Sequence, residues 1–193
     1  TLITGGTTYL FNYWGGVAAP EFVTVHEFGH QFWYALVGNN EFEEAWLDEG
    51  INTYSTAKVM QQAFGPLLDV PGLLLGPNDD ARLSNSPERK FDRIRQPAWT
   101  YQSGTYGFYS YQKPQLALQT LERHLGQEVM ARVMRTYHER WRFGHPSSDD
   151  FYRVVNEVSG QDLGWFFSQA TESDRVLDFE VASVSSRPAI EPQ

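Results

Sequence analysis

His26, Glu27 and His30 stand in the run His-Glu-Phe-Gly-His, and that run carries the first chemistry legible in the chain. Two residues four apart on a helix lie within about 40° of one another around its axis, at about 100° per residue. Both imidazoles can then reach one ion. Glu27 lies beside them, free to contact a water on that ion rather than the ion itself. This is a two-histidine zinc pattern with a carboxylate base. Taken alone, the same run also fits two helical histidines, one of them satisfied in a core.

A catalytic zinc takes three protein ligands and keeps a fourth position open. The elements around the run indicate the third. Pro20 suits the first turn of a helix and Gly38 its end, which predicts a helix over residues 20–37. A second helix is predicted over residues 42–64, closed by Gly65 and Pro66. About eight residues run from His30 to the first helix end, and about eight lead into Glu49. At 1.5 Å each, the chain rises roughly 12 Å and returns roughly 12 Å. A helical hairpin therefore brings Glu49 level with His30. Asp48 sits about 100° further round and is expected to face elsewhere, as a solvated or outer-sphere acid. A third histidine in the spacing HExxHxxGxxH is ruled out, because Trp33 and Leu36 hold the positions it needs.

The rest of the chain reads as support. Residues 1–14 are rich in Thr, Tyr and Phe around Gly5-Gly6, which predicts one or two strands. Residues 65–110 hold half of the prolines and read as a long functional loop. Four shorter helices are expected: from Pro114 to Gly126, over 127–141, from a Ser147 or Ser148 cap to Gly160, and over 162–169. Residues 176–184 alternate like a strand, and 187–193 read as a linker.

Composition narrows the function classes. The 193 residues carry 15 Lys+Arg against 24 Asp+Glu, a net charge of −9. Such a chain repels phosphate backbones, so nucleic acid is not an expected partner. The five basic residues between Arg82 and Arg95 are interleaved with acids and read as a solvated loop. There is no cysteine, which excludes disulfides, thiol nucleophiles and thiolate zinc sites, and leaves the compartment open. No apolar run has the length of a membrane span. The first residue is Thr, so the chain is expected to be a piece of a longer protein.

The His-Glu-Phe-Gly-His run, eighteen intervening residues, and then Trp-Leu-Asp-Glu-Gly at 46–50 together resemble the gluzincin aminopeptidases of the membrane alanyl aminopeptidase and leukotriene hydrolase type. The segment from Tyr111 to Gly126 resembles the family's Y-x-K-G region, and Tyr106 precedes Tyr111 by five as in some members. The resemblance implies a mainly α (α+β) fold, a thermolysin-like zincin catalytic domain with a small N-terminal β portion. It places that domain, cut short at its N-terminal side, at residues 1–180, with 181–193 as linker or the start of another domain. It implies a zinc metallopeptidase removing N-terminal residues from peptides. One zinc per chain would be held by His26, His30 and Glu49, with Glu27 as general base and Tyr111 assisting. Tyr106 and Tyr109 are the alternatives to Tyr111. The partners implied are a peptide substrate and the remaining domains of the parent protein.

Three departures bear on function. Pro114 stands where the family carries Gly after the lysine. Thr56, seven residues past Glu49, stands where many members carry an acid behind the metal ligands. The G-x-M-E-N motif, whose glutamate holds the substrate's free amine, is absent and should lie just before residue 1. The fragment itself is therefore expected to bind zinc but to turn over weakly. The alternatives are a zinc endopeptidase, a non-catalytic zinc-binding scaffold, and a metal-free helical domain. His124, His138 and His145 have no ligand spacing and read as surface or structural residues.

Overall fold

The computed structural model describes residues 19–65, 68–70, 73–76 and 92–174, together with Ile3 and Asp79. The strands expected at 1–14 and 176–184, and the linker at 187–193, lie outside the described residues. The rest is mainly helical, as the sequence predicts.

Helix α1 spans Ala19–Gly29 and α2 spans Glu41–Ala45. A π-helical turn, Trp46–Gly50, follows, and leads directly into α3, Ile51–Ala63. A short antiparallel hairpin comes next, β1 (Leu68–Val70) against β2 (Leu73–Leu75), with Leu68 opposite Leu75. A second π turn, Phe108–Gln112, opens α4, Lys113–Leu125. The series closes with α5 (Gln127–Trp141), α6 (Ser148–Ser159) and α7 (Gly164–Ala170). Among the described residues no helix is long and apolar enough to cross a membrane.

Helices α3 to α6 pack in succession, and α1 lies against α3. Ile51, Tyr54, Leu121, Val133, Phe151 and Val155 are buried at their centre. Two anchors fix the segment that carries Glu49. The indole N–H of Trp46 donates to Ser148 Oγ at 2.9 Å, and its ring packs on Phe151 and Tyr152. The Glu44 carboxylate accepts from the Ser148 backbone N–H at 3.0 Å. Arg95 then joins α2 to α6 and to the segment after α7, pairing with Glu44 at 3.2 Å, Asp149 at 2.7 Å and Glu172 at 2.9 Å. This corrects the solvated-loop reading for its described end: Arg95 is an ion-pair hub and Asp92 is buried.

The first helix is also shorter than expected. Gly29 ends it, and His30 sits just past the end, its backbone still bonded to the His26 carbonyl at 3.3 Å. Phe32, Trp33, Tyr34 and Val37, four of residues 31–37, are aromatic or β-branched and weaker helix formers than Ala or Leu. They turn irregularly instead, with Tyr34 at φ 112° and Val37 bridged to Trp33 and Gly144.

Helix α6 begins with a capping box. Asp150 accepts from the Ser147 backbone N–H at 3.0 Å and from its hydroxyl at 2.9 Å. Slight burial raises the Asp150 carboxyl, but the bonds from Ser147 and the charge of Arg153 outweigh it and hold its pKa below 3.8. A depressed folded-state pKa gives stability that is present above the unfolded value and lost as pH falls through the folded one. Ser147→Ala is therefore expected to cost about 1 kcal/mol in urea unfolding at pH 7. The difference from the unsubstituted chain should shrink below pH 3.8. An equal cost at pH 7 and pH 3 would refute the linkage.

Candidate metal centre

His26, His30 and Glu49 each offer one ligand atom, and these atoms all lie within 4.8 Å of one another. Glu49 Oε2 is 3.1 Å from His26 Nε2 and 3.3 Å from His30 Nε2. Ligands about 2.0–2.1 Å from a tetrahedral zinc stand about 3.4 Å apart, so this donor set fits zinc in chemistry and in spacing. It also leaves the fourth position open.

The path to that arrangement differs from the expected hairpin. Helix α1 does not climb past His30 and return; it lies directly on α3. A Cβ at Gly29 would overlap Asn52 Oδ1, so only glycine lets the helices approach this closely there. The same Asn52 donates its amide to the His26 carbonyl at 2.7 Å. Glu49 arrives on the first π turn, where Trp46, Leu47, Asp48 and Gly50 are buried and Glu49 faces the ligand cluster.

Tyr111 comes from the second π turn, which packs on the first. A Cβ at Gly50 would overlap the Pro114 ring. Pro114 has no N–H to give the Ser110 carbonyl, and the helix is widened at that point. The Tyr111 hydroxyl donates to Glu49 Oε1 at 2.6 Å, and its ring stacks on His26 at 5.8 Å between centroids.

The electrostatics follow from burial and proximity. Burial pushes Glu49 up, but bonds from His26, His30 and Tyr111 outweigh it and hold its pKa down at about 2. Burial pushes His30 down, but Asp48 and Glu49 outweigh it and raise it to about 10. Burial raises Asp48 to about 6 against the pull of His30, so it is ionised at neutral pH. Burial and the Glu49 charge push the Tyr111 phenol well above the usual range, so it stays a hydrogen-bond donor. Glu27 lies on α1 beside His26, half-buried.

A sequence profile of the peptidase family M1 domain matches residues 18–170. The chain belongs to peptidase family M1. It is 26% identical over 147 residues to probable aminopeptidase 1 of Saccharolobus solfataricus, a match covering 74% of this chain and 18% of that protein. It is 25% identical over 173 residues to mitochondrial aminopeptidase 2 of Saccharomyces cerevisiae, covering 84% of this chain and 17% of that one. The M1 chain thus spans less than a fifth of these relatives. Its fold is that of solved M1 enzymes. The zinc metallopeptidase of Deinococcus radiodurans superposes with a TM-score of 0.64 at 20% identity, over 82% of this chain and 34% of that one. Aminopeptidase A of Legionella pneumophila gives 0.62 at 22% identity, over 80% and 17%.

Within this M1 domain the tyrosine alternatives separate. Tyr109 is buried, with Lys113 over its ring at 4.5 Å. Tyr106 borders the site, 6.3 Å from Tyr111 ring to ring. His124 contacts Gln161, His138 lies against Phe32 and Trp33, and His145 contacts the Gly38 carbonyl, all apart from the ligand cluster. Thr56 is buried, and its hydroxyl has no partner among the described residues. Asp48 departs from expectation: it does not face away but touches His30 Nδ1 at 2.8 Å. A carboxylate next to the ligand glutamate was visible in the sequence, but the π turn that re-aims it was not.

Proposed function

We propose that this domain is the catalytic core of a zinc-dependent peptidase that removes N-terminal residues from peptides. The convergence of His26, His30 and Glu49 beside Tyr111 carries the reading. Zinc held there would supply a Lewis acid and a water acidic enough to ionise near neutral pH. Glu27 takes the attacking water's proton and passes it to the leaving amine. Tyr111, kept protonated, turns its hydroxyl from Glu49 to the oxygen that gains negative charge. His26 is braced through its backbone by Asn52, and Glu49 by the buried residues on either side of it. The aminopeptidase names of the relatives support the exopeptidase choice.

Elemental analysis of the chain beside His30→Ala tests the site. The expected result is close to one zinc per chain, lost in the variant. No zinc in either after reconstitution would defeat the reading.

A further inference from the structure

We propose that Asp92 is the positioning residue for Tyr111, fixing where the helical run that carries this phenol begins. The inference rests on the role given to Tyr111 above. Asp92 is buried, and its carboxylate gathers three donors from the loop that leads into the second π turn. One oxygen accepts from the Gln96 side-chain amide at 3.1 Å. The other accepts from the Gln102 backbone N–H at 3.1 Å and from the Thr105 hydroxyl. That hydroxyl also lies 2.9 Å from the Gln102 carbonyl, but it has one proton to give, and the carboxylate is the stronger acceptor.

Thr105 stands directly before the helical run, and its carbonyl accepts from the Tyr109 N–H at 3.1 Å. A π turn holds one more residue than an α turn, so the register beyond it depends on where the run starts. A start displaced by one residue would swing Tyr111 by about 100° and carry its hydroxyl away from Glu49. The contact of Pro114 with Gly50 fixes the far end of this turn. Asp92 fixes the near end. The loop is itself tied to the bundle: Ile94 is buried, and Arg95 donates its backbone N–H to the Thr171 carbonyl at 2.8 Å. The Tyr101 hydroxyl donates to the Ile94 carbonyl at 2.8 Å. Its ring stands edge-on to Tyr106 at 5.6 Å, and Tyr106 stands edge-on to Tyr111 at 6.3 Å. One route of hydrogen bonds and one of rings thus lead from residues 92–94 to the phenol.

A carboxylate that served the fold alone would lower the rate whether or not residue 111 carries a hydroxyl. A carboxylate that aims the phenol loses its effect once the phenol is gone. The test therefore measures kcat and KM on a fluorogenic aminoacyl amide in the full-length protein, for Asp92→Ala, Asp92→Asn and Thr105→Val, each with Tyr111 present and with Tyr111→Phe. Zinc content and far-UV circular dichroism are recorded on the same preparations. Asp92→Ala is expected to lower kcat by about 10²-fold with KM little changed and zinc retained, the scale of a misplacement of about 1 Å. Thr105→Val removes a single donor and is expected to lower kcat by about tenfold. Asp92→Asn still offers an oxygen to Gln102 and Thr105 and is expected to recover most of the rate. With Tyr111→Phe in place, none of the three lowers kcat further. If Asp92→Ala does not fold, Thr105→Val decides. Losses equal in the two backgrounds, or a kcat unchanged by Asp92→Ala and Thr105→Val, would overturn the role of Asp92 while leaving that of Tyr111 standing. A kcat unchanged by Tyr111→Phe alone would overturn both.

Discussion

Glu27→Gln is expected to slow peptide hydrolysis by about 10²–10⁴-fold while leaving the zinc content unchanged, because a positioned general base contributes on that scale. Glu27 lies on α1 between the two histidines but outside the ligand set. Glutamine keeps its size and loses only the ability to take a proton. Among the described residues the Glu27 side chain makes no hydrogen bond or ion pair, so the substitution should break no structural contact. The check is kcat on a fluorogenic aminoacyl amide, measured in the full-length protein, with zinc determined on the same preparation. Turnover near the unsubstituted value would remove Glu27 from the base role. Loss of zinc would make it a structural residue of the site.

Helix α5 spans Gln127–Trp141, the boundaries its periodicity and its flanking Gly126 predict. Helix α6 begins at the predicted cap, because Ser147 and Asp150 satisfy the free N–H groups of its first turn. These elements were legible because short-range chemistry decides them. Helix α1 ends at Gly29, earlier than the sequence predicts. Residues 31–37 leave the helix to bridge Val37 with Gly144, more than a hundred residues away, and no local signal announces that pairing.

The same division runs through the site. The residue types and the spacing of His26, His30 and Glu49 are legible in the sequence, and the structure brings these three side chains together. A glycine-tight crossing of α1 on α3 and two packed π turns bring the residues together, and a 3.6-residue period hides a π turn. A regular helical period therefore turns Asp48 away from His30, whereas it lies 2.8 Å from that ring. Pro114 was noted as a departure, but its contact with Gly50 appears only once both turns are packed.

Tyr111→Phe is expected to lower kcat by about 10²–10³-fold with KM little changed, the loss typical of one oxyanion donor. The hydroxyl is 2.6 Å from Glu49 Oε1, and burial together with the Glu49 charge keeps it protonated. It therefore acts as a donor and not as a base. Because it bonds Glu49, a proposed metal ligand, the substitution has a second consequence that must be separated from the first. If the hydroxyl serves mainly to steady Glu49, then Tyr111→Phe weakens zinc binding and added zinc restores the rate. If it serves the developing oxyanion, the zinc-saturated variant stays slow. The stacking of the ring on His26 should survive, since phenylalanine presents the same face. Saturation with zinc during the assay therefore decides between the two roles, and a rate restored by zinc alone would assign Tyr111 to the metal site and not to the reaction.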